Sequence, residues 1–454
     1  MSIKKESLVN LAFFLCFFPS VIYFLIESET QPIAGIIGVL IILIWGIKRN
    51  IFTSTLMWLI GIILFYAIIA LIFYPFNLSN ILIHGVSYIL PICVFLALYD
   101  KTNLLSTKIY WAALLIWFIM GIIQYFEIPL IKPVFEPALR FFVGEEGRVK
   151  MSTFGEERGV AFFTAEPGDA APIILLLLIT GIFFYIKRRV TQRQMCLILT
   201  MILIMIFKNK SGAVFALSII FVMGCFIGLF FQILRKKIKY VLRSFFWIGL
   251  VTAAICFLGY IFHEKFGYKS RFDIITKIVI SHIKGDAVSL ETFSLIGGVR
   301  AFLLLVGYKS LYHNYGLGHG IASWKIPSGY VEMLNFLKLD PLDYPMPRQE
   351  AESIAVGVYT KPQSYASVIA YDTGVIGLAV LLLFLMLFIF ESRRNYNYHN
   401  YQWLKYAFLS VAFSRFILFA QIPLPMNWLV LCYVYSLFIE KEEKLKSRKN
   451  GMVT

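Results

Sequence analysis

Apolar residues run along this chain in stretches of about twenty, separated by short clusters of charge, glycine and proline. The stretches fall at residues 8–26, 33–47, 51–74, 81–99, 109–126, 169–186, 195–207, 213–234, 244–262, 364–390, 406–420 and 428–439. This pattern predicts an all-α polytopic membrane protein with about twelve spans. The spans at 195–207, 406–420 and 428–439 are short, and are expected to borrow flanking residues or to sit in a thinned region. The first span follows Lys4 and Lys5, exceeds a secretory h-region in length and lacks an A-x-A site after it. It is expected to stay in place as a signal anchor.

Two longer intervals break the rhythm, at 127–168 and 263–363. A structureless loop of the second size is anomalous, so a folded subdomain is expected there. Within it FDIITKIVISHI (272–283), VRAFLLLVGYKSLYHN (299–314) and YVEMLNFLKL (330–339) each carry apolar residues at helical spacing between Gly, Pro and Asp punctuation. The chain then divides into spans one to five (1–126), a first outer loop (127–168), spans six to nine (169–262), the large helical outer loop (263–363), spans ten to twelve (364–439) and a basic tail (440–454). Large loops held by a helical scaffold point to work on the outer face.

Composition agrees: 59% of the residues are hydrophobic and only 15% are charged. The net charge of +16 raises the question of nucleic acid, and its placement answers it. Alternating the loops from a cytoplasmic N-terminus puts more than half of the 42 Lys and Arg on the inner side, from Lys4 and Lys5 to the cluster Lys441 to Lys449. That excess is the positive-inside bias, and it removes nucleic acid from the expected partners. All six cysteines fall within predicted spans and the six histidines lack metal-ligand spacing. Neither outer disulfides nor a metal or other cofactor is expected.

Charge at the outer thresholds of the spans is the remaining signal. RGVAFFTAEPGDAAP places Arg158, Glu166, Pro167 and Asp169 before an apolar run. Pro167 suits the first position of a helix, and Glu166 and Asp169 suit its dipole, so capping accounts for those three. Arg158, about two turns earlier, is left without such an account. Arg300 opens an apolar helix whose dipole it opposes, with snorkelling as the plain alternative. Downstream, YGLGHG (315–320) reads as a tight turn returning the chain to the membrane rather than a nucleotide loop. Lys208, Lys210 and Ser211 form an outer turn ahead of a helix N-terminus suited to phosphate, or are simply solvated. Arg415 lies inside the eleventh span near its outer end, where an arginine is a functional candidate by default. Asp372 in the tenth span and His84 in the fourth carry weaker versions of the same signal. Cations with one or two carboxylates on one side fit a lipid-linked pyrophosphate: guanidinium forks bind phosphoryl oxygens, and a carboxylate can take a proton from an attacking hydroxyl.

In these residues the chain resembles the bacterial O-antigen polymerases, whose superfamily also holds the O-antigen ligases. Arg158-Gly159 leading to Glu166-Pro167 is similar to the family's R-x-G…E-P segment, and Lys210-Ser211-Gly212 to its Ser-rich turn. Arg300 through Gly316-Leu317-Gly318 is similar to its Arg-helix-GxG segment. Of the ligase marks, Arg300 with Leu304 fits R-x-x-x-L, whereas Gln363 stands where a histidine eleven positions before a glycine, here Gly374, is looked for. Of the polymerase marks, an Arg eleven positions before a Gly occurs once, as Arg148 and Gly159. The resemblance implies a GT-C-like integral glycosyltransferase of the bacterial inner membrane with cytoplasmic termini and a periplasmic site. It would use undecaprenyl-pyrophosphate-linked oligosaccharide without a metal, beside a chain-length regulator. Arg158 and Arg300 are then expected to bind pyrophosphate, with Arg415, Lys210 and Ser211 assisting. Glu166 is the expected base and Asp372 its substitute. A ligase, or a lipid-linked sugar flippase, is the alternative.

Overall fold

The structure, a computed structural model, describes residues 4–19, 33–126, 160–164, 167–209, 211–234, 299–343, 348–358, 361–394, 398, 401–419 and 424–440. Among them the regular structure is entirely helical. In chain order the helices are α1 (Lys5–Leu15), α2 (Ile33–Trp45), α3 (Ile51–Phe73), α4 (Leu78–Leu98), α5 (Thr107–Phe126), α6 (Pro167–Ile186), α7 (Gln192–Asn209) and α8 (Gly212–Leu234). There follow α9 (Val299–Lys309), α10 (Pro327–Phe336), α11 (Arg348–Ala355), α12 (Tyr365–Arg394), α13 (Gln402–Ser414) and α14 (Met426–Phe438). A single π-helical turn, Arg415–Phe419, continues from α13.

Five of these, α3, α4, α5, α6 and α12, are long and apolar enough to cross a membrane, and α2, part of α8 and α14 are shorter apolar helices. The chain is therefore a helical membrane protein by length and composition. The expected span at 244–262 and the segment FDIITKIVISHI lie outside the described residues, so the full count of twelve is not shown. The other expected stretches coincide with helices, but among the described residues α1, α7 and α13 belong neither to the five nor to the shorter apolar helices. One departs: helix α1 ends at Leu15 and gives way to turns through Pro19, where 8–26 had been expected to run on. Proline disfavours helical geometry at the residue before it, here Phe18.

Burial sorts the helices into a centre and a rim. Nearly every residue of α14 is buried, as is most of α6, whereas α3 and α5 keep broad apolar faces exposed. A helix apolar all round must meet protein on every side or lipid on the remainder, and both cases occur here. Large rings fill the centre: Trp428 packs on Phe384, Phe416 and Tyr365, and Phe183 stacks on Tyr433. Helices α8 and α13 are antiparallel and meet through glycines. A methyl carbon at Gly224 would lie 2.6 Å from Ala407 Cα, and one at Gly228 would lie 2.6 Å from Trp403 Cα. Small residues permit such backbone contact between membrane helices.

The bundle has two distinct ends. At one, side chains tie loops to carbonyls: Arg189 donates to Leu105 O and Asn103 O, Lys405 to Ser392 O, and Tyr99 to Lys48 O. At the other end α6 and α8 begin, α7 and α13 finish, and the late subdomain sits. There α9 packs on α12, and the Tyr308 hydroxyl donates to Ile417 O of the π-turn at 2.7 Å. The sequence expectations for 299–314 and 330–339 correspond to α9 and α10.

Candidate functional site

Helix α6 starts at Pro167, whose missing N–H and fixed φ suit the first helical position. Residues 160–164 lead toward it and are anchored on both sides. Gln124 exchanges two 2.8 Å hydrogen bonds with the Phe162 backbone, while Val160 N donates to Lys208 O and Val160 O accepts from Asn209 Nδ2. Asn209, fully buried at the end of α7, also accepts from the Ser211 hydroxyl. Ser211 in turn accepts from Val214 N at 3.2 Å, which makes it the N-cap of α8. A structural duty thus exists for Ser211. Lys208 places its ammonium over the Tyr125 ring, 3.0 Å from the centroid, a cation–π contact that ties α7 to α5.

Arg300 reaches the start of α6, and Arg415 lies within electrostatic range of it. The position a Gly168 Cβ would take lies 3.9 Å from Arg300 Nη1 and 4.0 Å from Ala213 Cβ, so α9 and α8 both begin against the first turn of α6. Arg415, 6% exposed in the π-turn, feels the attraction of Asp169 and the repulsion of Arg300. Its Nε has no hydrogen-bond partner among the described residues. Three helix N-termini, two guanidiniums and one carboxylate therefore converge. Each N-terminus carries about half a positive charge, and a cation beside one is unfavourable by roughly 0.3–1 kcal/mol. An anion seated among these groups would relieve that repulsion and accept forked hydrogen bonds. A π-turn is a frequent place for such a residue, because the extra residue it inserts redirects a side chain.

Asp372 belongs to a second cluster, built on a break in α12. Gly374 has φ 68° and ψ −157°, a conformation closed to other residues, and the helix ladder is interrupted there. Backbone groups left over are met by the glycine-rich turn. Val375 N donates to Gly316 O at 2.8 Å, His319 N to Tyr371 O at 2.9 Å and Gly320 N to Asp372 O at 2.9 Å. Gly316, Gly318 and Gly320 all have positive φ, and a Cβ on Gly318 would lie 2.7 Å from Thr373 C. YGLGHG is thus a clasp on a broken helix. Beneath it the Asp372 carboxylate is fully buried and accepts from the Tyr88 hydroxyl of α4, while Oδ1 has no hydrogen-bond partner among the described residues. The Lys361 ammonium and the Ala322 amide lie within electrostatic reach of that carboxylate. His84 stands edge-on to Trp324 at 4.8 Å, with Lys361 and Lys325 nearby.

On the outer side of the clasp the His319 ring stacks on Tyr371 and shares a 3.0 Å hydrogen bond with His313. Burial pushes His319 down to about 4, against the opposing pull of the Tyr371 carbonyl.

Of the residues singled out from sequence, the structure brings Arg300 and Arg415 together at the start of α6, with Ser211 capping the adjacent helix. Asp372 sits in the separate Tyr88 cluster. Arg158, Glu166 and Lys210, like Arg148 and Gly159, lie outside the described residues. Sequence reading missed Tyr88, Asn209 and the clasp. A tyrosine inside an apolar run was the available signal for the first, whereas Asn209 lies beyond the run at 195–207, between two lysines. Compared with protein-family models and with curated proteins, the chain matches none.

Proposed function

We propose that this protein is a membrane glycosyltransferase of the O-antigen polymerase kind. It would transfer a growing glycan from undecaprenyl pyrophosphate to a second lipid-linked repeat unit on the periplasmic face of a bacterial inner membrane. The observation that carries this reading is the meeting of Arg300, Arg415 and Asp169 at the first turn of α6. The acceptor hydroxyl attacks the anomeric carbon, the bond to pyrophosphate breaks, and the hydroxyl proton passes to a carboxylate. Charge grows on the departing pyrophosphate, and each preorganised donor aimed at it lowers the barrier by about 3 kcal/mol. Arg300 and Arg415 are assigned that role, with Arg158 and Lys210 from adjoining segments. Glu166 is the assigned base. A chain-length regulator is the partner that the resemblance implies.

A second reading, a flippase for lipid-linked sugars, is favoured by one feature. Transporters commonly bind substrate at broken helices, and α12 is broken beside a buried carboxylate. The two readings part in a deletion strain. Loss of a polymerase leaves single repeats at the cell surface, and loss of a flippase leaves none there. Restoring the strain with Arg300→Ala or Arg415→Ala, at normal membrane levels, should give single repeats only. A full-length ladder from either variant would remove that arginine from the pyrophosphate site.

A further inference from the structure

The clasp has a second face. Residues 310–324 contain no Asp, Glu, Lys or Arg, with Lys309 before them and Lys325 after. Of their exposed side chains, Tyr315 (97%), Leu317 (60%) and Tyr312 are apolar or aromatic, and the exposed Asn314 donates its amide to Gly318 O. Glycines 316–320 cling to α12 at Tyr371 to Val375, the Gly316 backbone lying against the Val375 side chain.

Helix α12 supplies a ruler for depth. Its exposed positions Val375, Ile376, Ala379, Leu382, Leu383, Met386 and Phe390 follow helical spacing and form one stripe. Such a stripe on a helix long enough to span faces lipid. Toward the N-terminus the stripe stops at Val375, because the clasp covers residues 371–374. From Phe390, the last apolar residue before Glu391, to Val375 is about 22 Å at 1.5 Å per residue. A hydrocarbon core of about 30 Å therefore continues about 8 Å past Val375, across the segment that the clasp covers. The far side of the clasp gives the same level. A Cβ on Gly320 would lie 3.2 Å from Ala70 Cβ, about one turn before the end of α3.

Non-helical backbone is tolerated at that depth only where its polar groups are satisfied. Six of the clasp's backbone groups are met in this way: Gly316 O by Val375 N, Leu317 N by Asn314 O, Gly318 O by Asn314 Nδ2, His319 N by Tyr371 O, Gly320 N by Asp372 O, and Gly320 O by Ser323 N.

We propose that the turn at 312–317 is a lipid-contacting surface, re-entrant into the edge of the bilayer beside α12. Leu317 meets acyl chains, and Tyr312 and Tyr315 sit at the headgroup level, where amphipathic rings concentrate. The lipid face of α12 continues onto the clasp, and the late subdomain is held flush with the membrane by its own loop. This assignment is independent of the reaction that the protein performs.

Nitroxide accessibility in the full chain, reconstituted in phosphatidylethanolamine and phosphatidylglycerol vesicles, tests it. Labels are introduced by Leu317→Cys, by Ile376→Cys as the lipid reference and by Lys338→Cys as the aqueous reference, each corrected for the parent chain treated alike. The Leu317 label should favour oxygen over a water-soluble nickel complex, as the Ile376 label does. Nickel accessibility equal to that at Lys338 would overturn the proposal. Should Leu317→Cys not reach the membrane, Tyr315→Cys replaces nothing buried, and its label decides by the same comparison.

Discussion

Replacing Gly374 by alanine isolates the clasp in a single methyl group. The added Cβ would lie 2.6 Å from both Gly318 N and Leu317 C, and backbone rather than a flexible side chain stands in its way. Alanine must also hold φ 68° and ψ −157°, at about 1–3 kcal/mol. If the turn moves aside, the hydrogen bonds from Val375, His319 and Gly320 are lost, at about 1 kcal/mol each. The two effects together come to about 4–6 kcal/mol. Gly61 in α3 has nothing within 4 Å of its would-be Cβ, so Gly61→Ala should be neutral or stabilising by about 0.5–1 kcal/mol. Unfolding of both variants in mixed micelles by added denaturing detergent measures the contrast. Equal stability of Gly374→Ala and the parent would refute the clasp as a structural element.

Tyr88→Phe strips the buried Asp372 carboxylate of its donor and should cost about 1–3 kcal/mol in the same assay, while Tyr88→Phe combined with Asp372→Asn should recover part of the loss. Ser211→Ala should destabilise by about 1 kcal/mol through the lost cap. Ser211→Asn, which can still cap α8, should restore both stability and the glycan ladder, and a ladder lost in the Asn variant would give the hydroxyl a role at the substrate. His319 is held neutral in the fold, with its value lowered to about 4 from an unfolded value near 6.5. Between those values the unfolded chain binds more protons, so stability is complete above about pH 6.5 and falls as pH drops toward 4. Melting curves at pH 7.5 and 5 should show the loss, and His319→Asn should reduce it.

What the sequence disclosed, and what it withheld, follows from the range of the forces involved. Apolar runs mark helices because each backbone group in lipid must be satisfied within its own segment, so the boundaries of α3, α5 and α12 could be read locally. Arg300 was conspicuous for the same reason, as a charge at a threshold that no helix requires. Its neighbours were not legible, because Arg415 and Gly168 are distant in sequence and meet only through the packing of α6, α8 and α9. The turn at 315–320 was read as a return to the membrane. That its glycines serve a break at Gly374, more than fifty residues later, could not be read, since neither segment alone shows an unpaired backbone group. Tyr88 was passed over as one tyrosine in an apolar helix, and only its approach to Asp372 gives it meaning.

The glycine seam between α8 and α13 acts on the arginine cluster as a spacer gauge. Helix α8 begins at the cluster, and α13 ends in the π-turn that bears Arg415, so the width of the seam sets how far Arg415 stands from the start of α8. Gly224 is eleven residues beyond Ala213, about 16 Å along the helix. A larger side chain at that distance prises the two axes apart and widens the anion seat without touching any group that lines it. Bulk at Gly224 and Gly228 thus adjusts the reach between charged groups from deep within the bundle.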